Sequence, residues 1–148
     1  MVGSTNQRLS LPWQSIRTAA DVAALAATIR QIKRPQLRTV TAIGQAIRFS
    51  LGQFATVSAC DRAVIDISGD GAENDGMTVA DARAEAIAAG VTLNAIAIEL
   101  DGTDGRVTEF FRDHVITPDG FVITAKGLPD YPRAIRIKLL RELYRNVG

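Results

Sequence analysis

The chain has 148 residues, 47% of them hydrophobic and 22% charged, with a formal net charge of +1 at pH 7. That length fits one domain able to bury roughly two-thirds of the surface its unfolded chain exposes, and the composition is that of an ordinary soluble globular protein. The near-zero balance excludes a global field aimed at nucleic acid or an anionic membrane. A single cysteine, Cys60, excludes an internal disulfide and a multi-cysteine zinc site.

No apolar run reaches the length of a membrane span. Met1 to Ser10 lacks the basic region and apolar stretch of a signal peptide, so the chain as written is expected in the cytoplasm. The basic residues do cluster, as Arg30, Lys33, Arg34 and Arg38 and as Arg133, Arg136, Lys138, Arg141 and Arg145. They read as a solvated loop and a solvated helix face. No aromatic-rich recognition motif accompanies them, so no nucleic-acid partner is expected.

In chain order, Gln7 to Trp13 alternates loosely and reads as a short edge strand, where Pro12 is tolerated. Thr18 is placed to cap a helix with Asp21 in its first turn. Val22, Leu25, Ala26 and Ile29 then recur at the spacing of one buried helical stripe. Pro35 ends any helix by the preceding residue. A second helix is predicted from about Thr41, with Ile43, Ile47, Leu51 and Phe54 on its apolar face and Gly44 as a weak spot.

Ala63 to Ser68 is short and β-branched, as a buried strand requires. Thr78 and Asp81 open an alanine-rich helix that stops at Gly90, a natural residue just past a helix end. Thr92 to Ile98 predicts a second strand, Val107 to His114 a short helix, and Phe121 to Thr124 a third strand. Asp130 is placed to cap a terminal helix containing Ile135, Leu139 and Leu143. Short apolar strands alternating with helices imply parallel βαβ units covered on both faces: a three-layer, Rossmann-like α/β domain, with residues 1–148 forming one unit.

In open parallel sheets ligands bind beyond the carboxyl ends of the strands. The most polar segment so placed runs from Ser68 to Gly76. Asp70 leads its oxygen donors, with Ser68, Glu73, Asn74 and Asp75 as weaker candidates for a hard divalent cation. Asx turns and the lead-in to a helix need much the same residues. Gly69, Gly71 and Gly76 miss the dinucleotide fingerprint, because the third glycine comes two positions late. An EF-hand loop starting at Asp66 fails, since Met77 stands where the bidentate glutamate belongs. His114 is the only histidine, and no nucleophilic constellation can be built around it or Cys60. Asp66, inside a strand built for burial, requires either a solvated face or a partner such as a helix end or neighbouring loop. A supporting role behind Asp70 is the alternative.

Arg38-Thr39-Val40-Thr41-Ala42-Ile43-Gly44 followed by Val64-Ile65-Asp66-Ile67-Ser68-Gly69-Asp70-Gly71 resembles von Willebrand factor A-like domains, and within them an uncharacterised bacterial subfamily. Leu11-Pro12-Trp13, Ala88 to Asn94, Phe110 to Ile116 and Gly120-Phe121-Val122 extend the resemblance over nearly the whole chain. It implies a metal-ion-dependent adhesion site in which Thr41 and Asp70 hold Mg²⁺ or another divalent cation for a protein or acidic ligand. The Asp-x-Ser-x-Ser motif of such sites is absent from this chain.

The resemblance places the family's first strand and helix, and at least most of its second strand, ahead of Met1, making the domain N-terminally incomplete. It thereby predicts weak or absent Mg²⁺ binding and an unpaired edge at Ala63 to Ser68 that invites a strand-donating partner. A start codon upstream would place the product in the periplasm or outside the cell. The expected function is a ligand- or protein-binding module with a partial metal site, not an enzyme. The alternatives are a metal-assisted hydrolase using the Asp70 loop and a non-functional remnant.

Overall fold

A computed structural model describes residues 7–33, 42–57, 60–72 and 79–144. Helix α1 spans Ala19–Gln31 and α2 spans Ile43–Phe54; β1 (Ala63–Gly69), α3 (Val79–Ala88) and β2 (Val91–Glu99) follow. Helix α4 (Arg106–Phe110) widens into a π-helical turn at Phe111–Val115. Strand β3 (Val122–Lys126), a 3-10 turn (Leu128–Asp130) and α5 (Tyr131–Tyr144) complete the order.

The three strands form one parallel sheet in the order β1-β2-β3, with Asp66 opposite Asn94 and Ala95 opposite Val122. Parallel neighbours need crossovers, and α3 and α4 supply them. Central β2 is buried from Val91 to Ile98, as an apolar strand covered on both faces must be. One face packs Ile47 of α2, Ala82 and Ala86 of α3 and Phe111 against Ile65, Leu93 and Ala95. The other packs α5, through Ala134, onto Ile96, Ile98 and Ala125. The chain is thus a Rossmann-like, three-layer α/β structure. Arg48 forks onto the Glu85 carboxylate, with Nε 2.8 Å from Oε2, and clamps α2 to α3.

Local signals mark the element ends. Thr18 and Asp21 form a reciprocal capping box, each side chain accepting from the other's backbone N–H. Gly90 ends the α3 turn at φ +68°, where a side chain would be strained. Gly120 has a steric reason instead: a Cβ there would overlap the Leu93 carbonyl oxygen. The turn around it, closed by Gly120 N donating to Thr117 O at 2.9 Å, holds β3 close against β2.

Three expectations are corrected. Residues 7–18 form no strand; Trp13 instead stacks on Phe54 at 5.3 Å and donates from Nε1 to the Gln53 carbonyl at 3.2 Å. The α1 stripe is not buried: Val22 is 54% and Ile29 52% exposed, because no described element covers that helix. The basic face of α5 is not simply solvated. Lys138 is 2% exposed, Arg141 lies 4.1 Å over the Phe121 ring, and Arg133 pairs with Asp130. Pro35 and Thr78, assigned to helix boundaries, and Arg34, Arg38 and Arg145 lie outside the described residues.

Candidate functional site

The polar turn at the carboxyl end of β1 is positioned by what lies beneath it. Ser68 Oγ is 3.0 Å from the Tyr131 hydroxyl, which ties the strand end to the start of α5. Gly69 sits directly on the Phe111 ring; an added Cβ would come within 2.9 Å of Cζ. Glycine is required there so that the strand end can lie on the aromatic ring. Asp70 follows, half-buried at the rim of the sheet.

Of the residues assigned to a metal, Ser68 and Asp70 are thus brought together at one strand end. Thr41, Glu73, Asn74 and Asp75 lie outside the described residues. Among the described residues no group of three or more His, Cys, Asp or Glu side chains could hold a metal ion. The described part of the assigned set is thus one carboxylate and one hydroxyl, the latter 3.0 Å from the Tyr131 hydroxyl.

A second cluster lies on the α5 face. Asp66 of β1 and Glu142 of α5 both engage Lys138 Nζ, the latter at 2.7 Å. Glu142 Oε1 also accepts from Asn94 Nδ2 at 2.6 Å, and Asn94 Oδ1 accepts from the Phe121 N–H at 3.1 Å. The fully buried Asn94 therefore links all three strands' surroundings to α5. Asp66 is paired through Lys138, in place of the helix end or loop expected for it.

Burial pushes the Asp66 carboxyl above its ordinary 3.8, the hydrogen bond and charge of Lys138 pull it down, and Glu142 adds repulsion; the balance is upward. A raised carboxyl means the folded state holds the proton more tightly than the unfolded chain. The corresponding stability is fully present below 3.8 and is lost as pH rises through the folded value. Wild type is therefore expected to lose ground against Asp66→Asn as pH rises from 3.8 through the raised folded value. Urea unfolding of both at each pH checks this, and a difference that does not change with pH contradicts it.

Glu99, at the end of β2, had no role assigned from sequence. Its Oε1 accepts from Thr108 N and Thr108 Oγ1, both at 2.7 Å. Burial raises this carboxyl, but hydrogen bonds from Thr103, Thr108 and Val107 outweigh it and hold it below the ordinary 4.5. The carboxylate substitutes for the missing side-chain cap of α4, whose cap residue is Gly105 at φ +86°. No local spacing signals such a contact across nine residues. His114 stacks on Phe110 at 5.4 Å, exposed in the π-helical turn.

Beside β1 runs a groove of about 510 Å³, walled by Leu9 and Trp13 of the N-terminal segment, Leu25 of α1, Phe49 of α2, and Val64 and Ile65 of β1. No helix among the described residues is long and apolar enough to cross a membrane.

Geometry of this kind defines a parallel-sheet α/β protein with its most polar turn at a strand's carboxyl end. Residues 2–147 match the family described as "Protein of unknown function (DUF1194)", and the chain belongs to that family. No curated protein and no solved structure matches it.

Proposed function

We propose that the chain is a von Willebrand factor A-like protein-binding module that meets its partner with the Ser68–Gly71 turn. The observation that carries this reading is the seating of that turn: Gly69 rests on the buried Phe111 ring and Ser68 on Tyr131. A short polar segment so supported presents Asp70 from a rigid base, and rigid presentation reduces the ordering cost of association. Recognition by the turn itself does not call for a cation.

Capture of partners from native extract by the full chain and by Asp70→Ala tests this, with and without Mg²⁺. Wild type is expected to retain a protein that Asp70→Ala loses, at an unchanged unfolding midpoint. Titration with MgCl₂ alone is expected to give no saturable binding below about 1 mM. Equal capture by both chains would remove Asp70 from the interface. Turnover of an ester or phosphoester panel that depends on Asp70 would replace the binding module with a hydrolase.

A further inference from the structure

Strand β3 bounds the sheet on the side away from β1. The strands that the resemblance places ahead of Met1 belong beside β1, so they do not reach this edge. Ala95 N donates to Phe121 O at 2.9 Å, and the register sets Ala95 opposite Val122. In a parallel ladder a residue bonds the neighbours that flank its opposite number, so Phe121, Ile123 and Ala125 turn their backbone groups toward β2. Val122, Thr124 and Lys126 turn theirs outward, where no described strand lies.

The entry to α5 already holds part of that outward row. Arg133 Nη2 donates to Thr124 O at 2.9 Å, and Lys126 N donates to Asp130 Oδ2 at 2.8 Å. The two side chains also bind each other, with Arg133 Nε 2.6 Å from Asp130 Oδ1 and Nη2 2.5 Å from Oδ2. A planar guanidinium forked onto a carboxylate is a fixed geometry, so each partner holds the other against the strand. The hydrogen bonds from Arg133 and Lys126 N hold the Asp130 carboxyl down at about 2, and the pair stays ionised at ordinary pH.

Without this pair the edge would suit a copy of itself. Val122-Ile123-Thr124-Ala125 contains no charge and no proline, and three of its residues are β-branched. Two such strands placed antiparallel about Thr124 would exchange N–H···O bonds between the threonines and pair Val122 with Lys126, a self-complementary two-fold arrangement. That arrangement needs Thr124 O and Lys126 N, which are the groups that Arg133 and Asp130 hold.

We infer that the entry to α5 is a latch on the β3 edge: Arg133 and Asp130 withhold Thr124 O and Lys126 N from a second copy of this chain, which otherwise adds its own β3 in antiparallel register. An edge strand is a ready template for pairing, and covering its free groups is one way a fold prevents it. The latch involves neither the Ser68–Gly71 turn nor Asp66, so it stands apart from the binding reading above.

The test compares residue-resolved amide hydrogen exchange in wild type and Arg133→Ala at about 50 μM and about 1 mM. In wild type, Val122 and Thr124 are expected to exchange fast and at one rate at both concentrations, with Ile123 and Ala125 slow. In Arg133→Ala, Val122 and Thr124 are expected to exchange about threefold more slowly at the higher concentration, as a dimer of about 100 μM affinity requires. Adding Thr124→Pro, tolerated where an edge N–H faces outward, is expected to abolish that dependence at Val122. Should Ile123 and Ala125 lose their protection in Arg133→Ala, Arg133→Met, which keeps the apolar stem, carries the same expectation. Association through any other surface leaves the Val122 and Thr124 amides unchanged. Concentration-dependent protection of these amides in wild type overturns the proposal, as does its absence in the folded Arg133 variant or its persistence with Thr124→Pro.

Discussion

Replacing Phe111 with alanine is expected to lower the unfolding free energy by about 3–5 kcal/mol, the range for truncating a buried phenylalanine. Among the described residues Phe111 is the largest fully buried side chain, and it sits where α4 widens into the π-helical turn. Its ring meets Phe110 edge-on, with centroids 5.9 Å apart, and touches Gly69 at the end of β1. Gly69 offers no side chain to refill the space, and the strand backbone is held by β2. The cavity therefore collapses only partly, which places the cost toward the upper part of the range. Urea unfolding measures it as a drop in midpoint at unchanged slope. Because the ring also supports the Ser68–Gly71 turn, amide exchange at Gly69 to Gly71 is expected to accelerate before global unfolding. A loss below about 1 kcal/mol would show that the turn and helix do not rest on this ring.

Lys138→Met is expected to cost about 3 kcal/mol near neutral pH. Lys138 is 2% exposed, and its ammonium compensates both Asp66 and Glu142. Methionine preserves most of the volume but leaves two carboxylates facing each other without a cation, which is costlier than never having had the pair. Exposure of the Asp66 side chain, at 44%, keeps the loss at the lower end of that for breaking buried pairs. Two controls separate charge from packing. The deficit should shrink as pH falls and the carboxyls protonate. It should also fall within about 1 kcal/mol of wild type in the triple variant with Asp66→Asn and Glu142→Gln, where no charge remains to compensate. A deficit that persists in the triple variant would attribute the effect to the shape of the lysine stem.

The ion cluster and the Phe111 seat converge on β1 from opposite faces of the sheet. Lys138 holds the strand from the α5 side and Phe111 supports its end from the side of α2 and α3. The polar turn thus ends a strand that is held from both faces of the sheet.

The sequence by itself determined the elements and their class. Short apolar, β-branched runs marked β1, β2 and β3, Thr18 with Asp21 marked the start of α1, and Gly90 marked the end of α3; each is a signal within a few residues. Strand–helix alternation then implied parallel pairing, as found. The turn at Ser68 to Gly71 was also legible, because its composition contrasts with the strand before it. What only the tertiary structure decided are contacts between residues far apart in the chain. Lys138 looked like one cation on a solvated face until α5 was packed over Asp66. Val22 and Ile29 carried a buried-helix period that no described neighbour satisfies. Glu99 and Asn94 found partners in α4 and α5, and Gly69 proved to be the seat of Phe111. Periodicity reports which residues an element can bury or expose, whereas the partner that meets each face is set by the packing of separate elements, to which no local spacing refers.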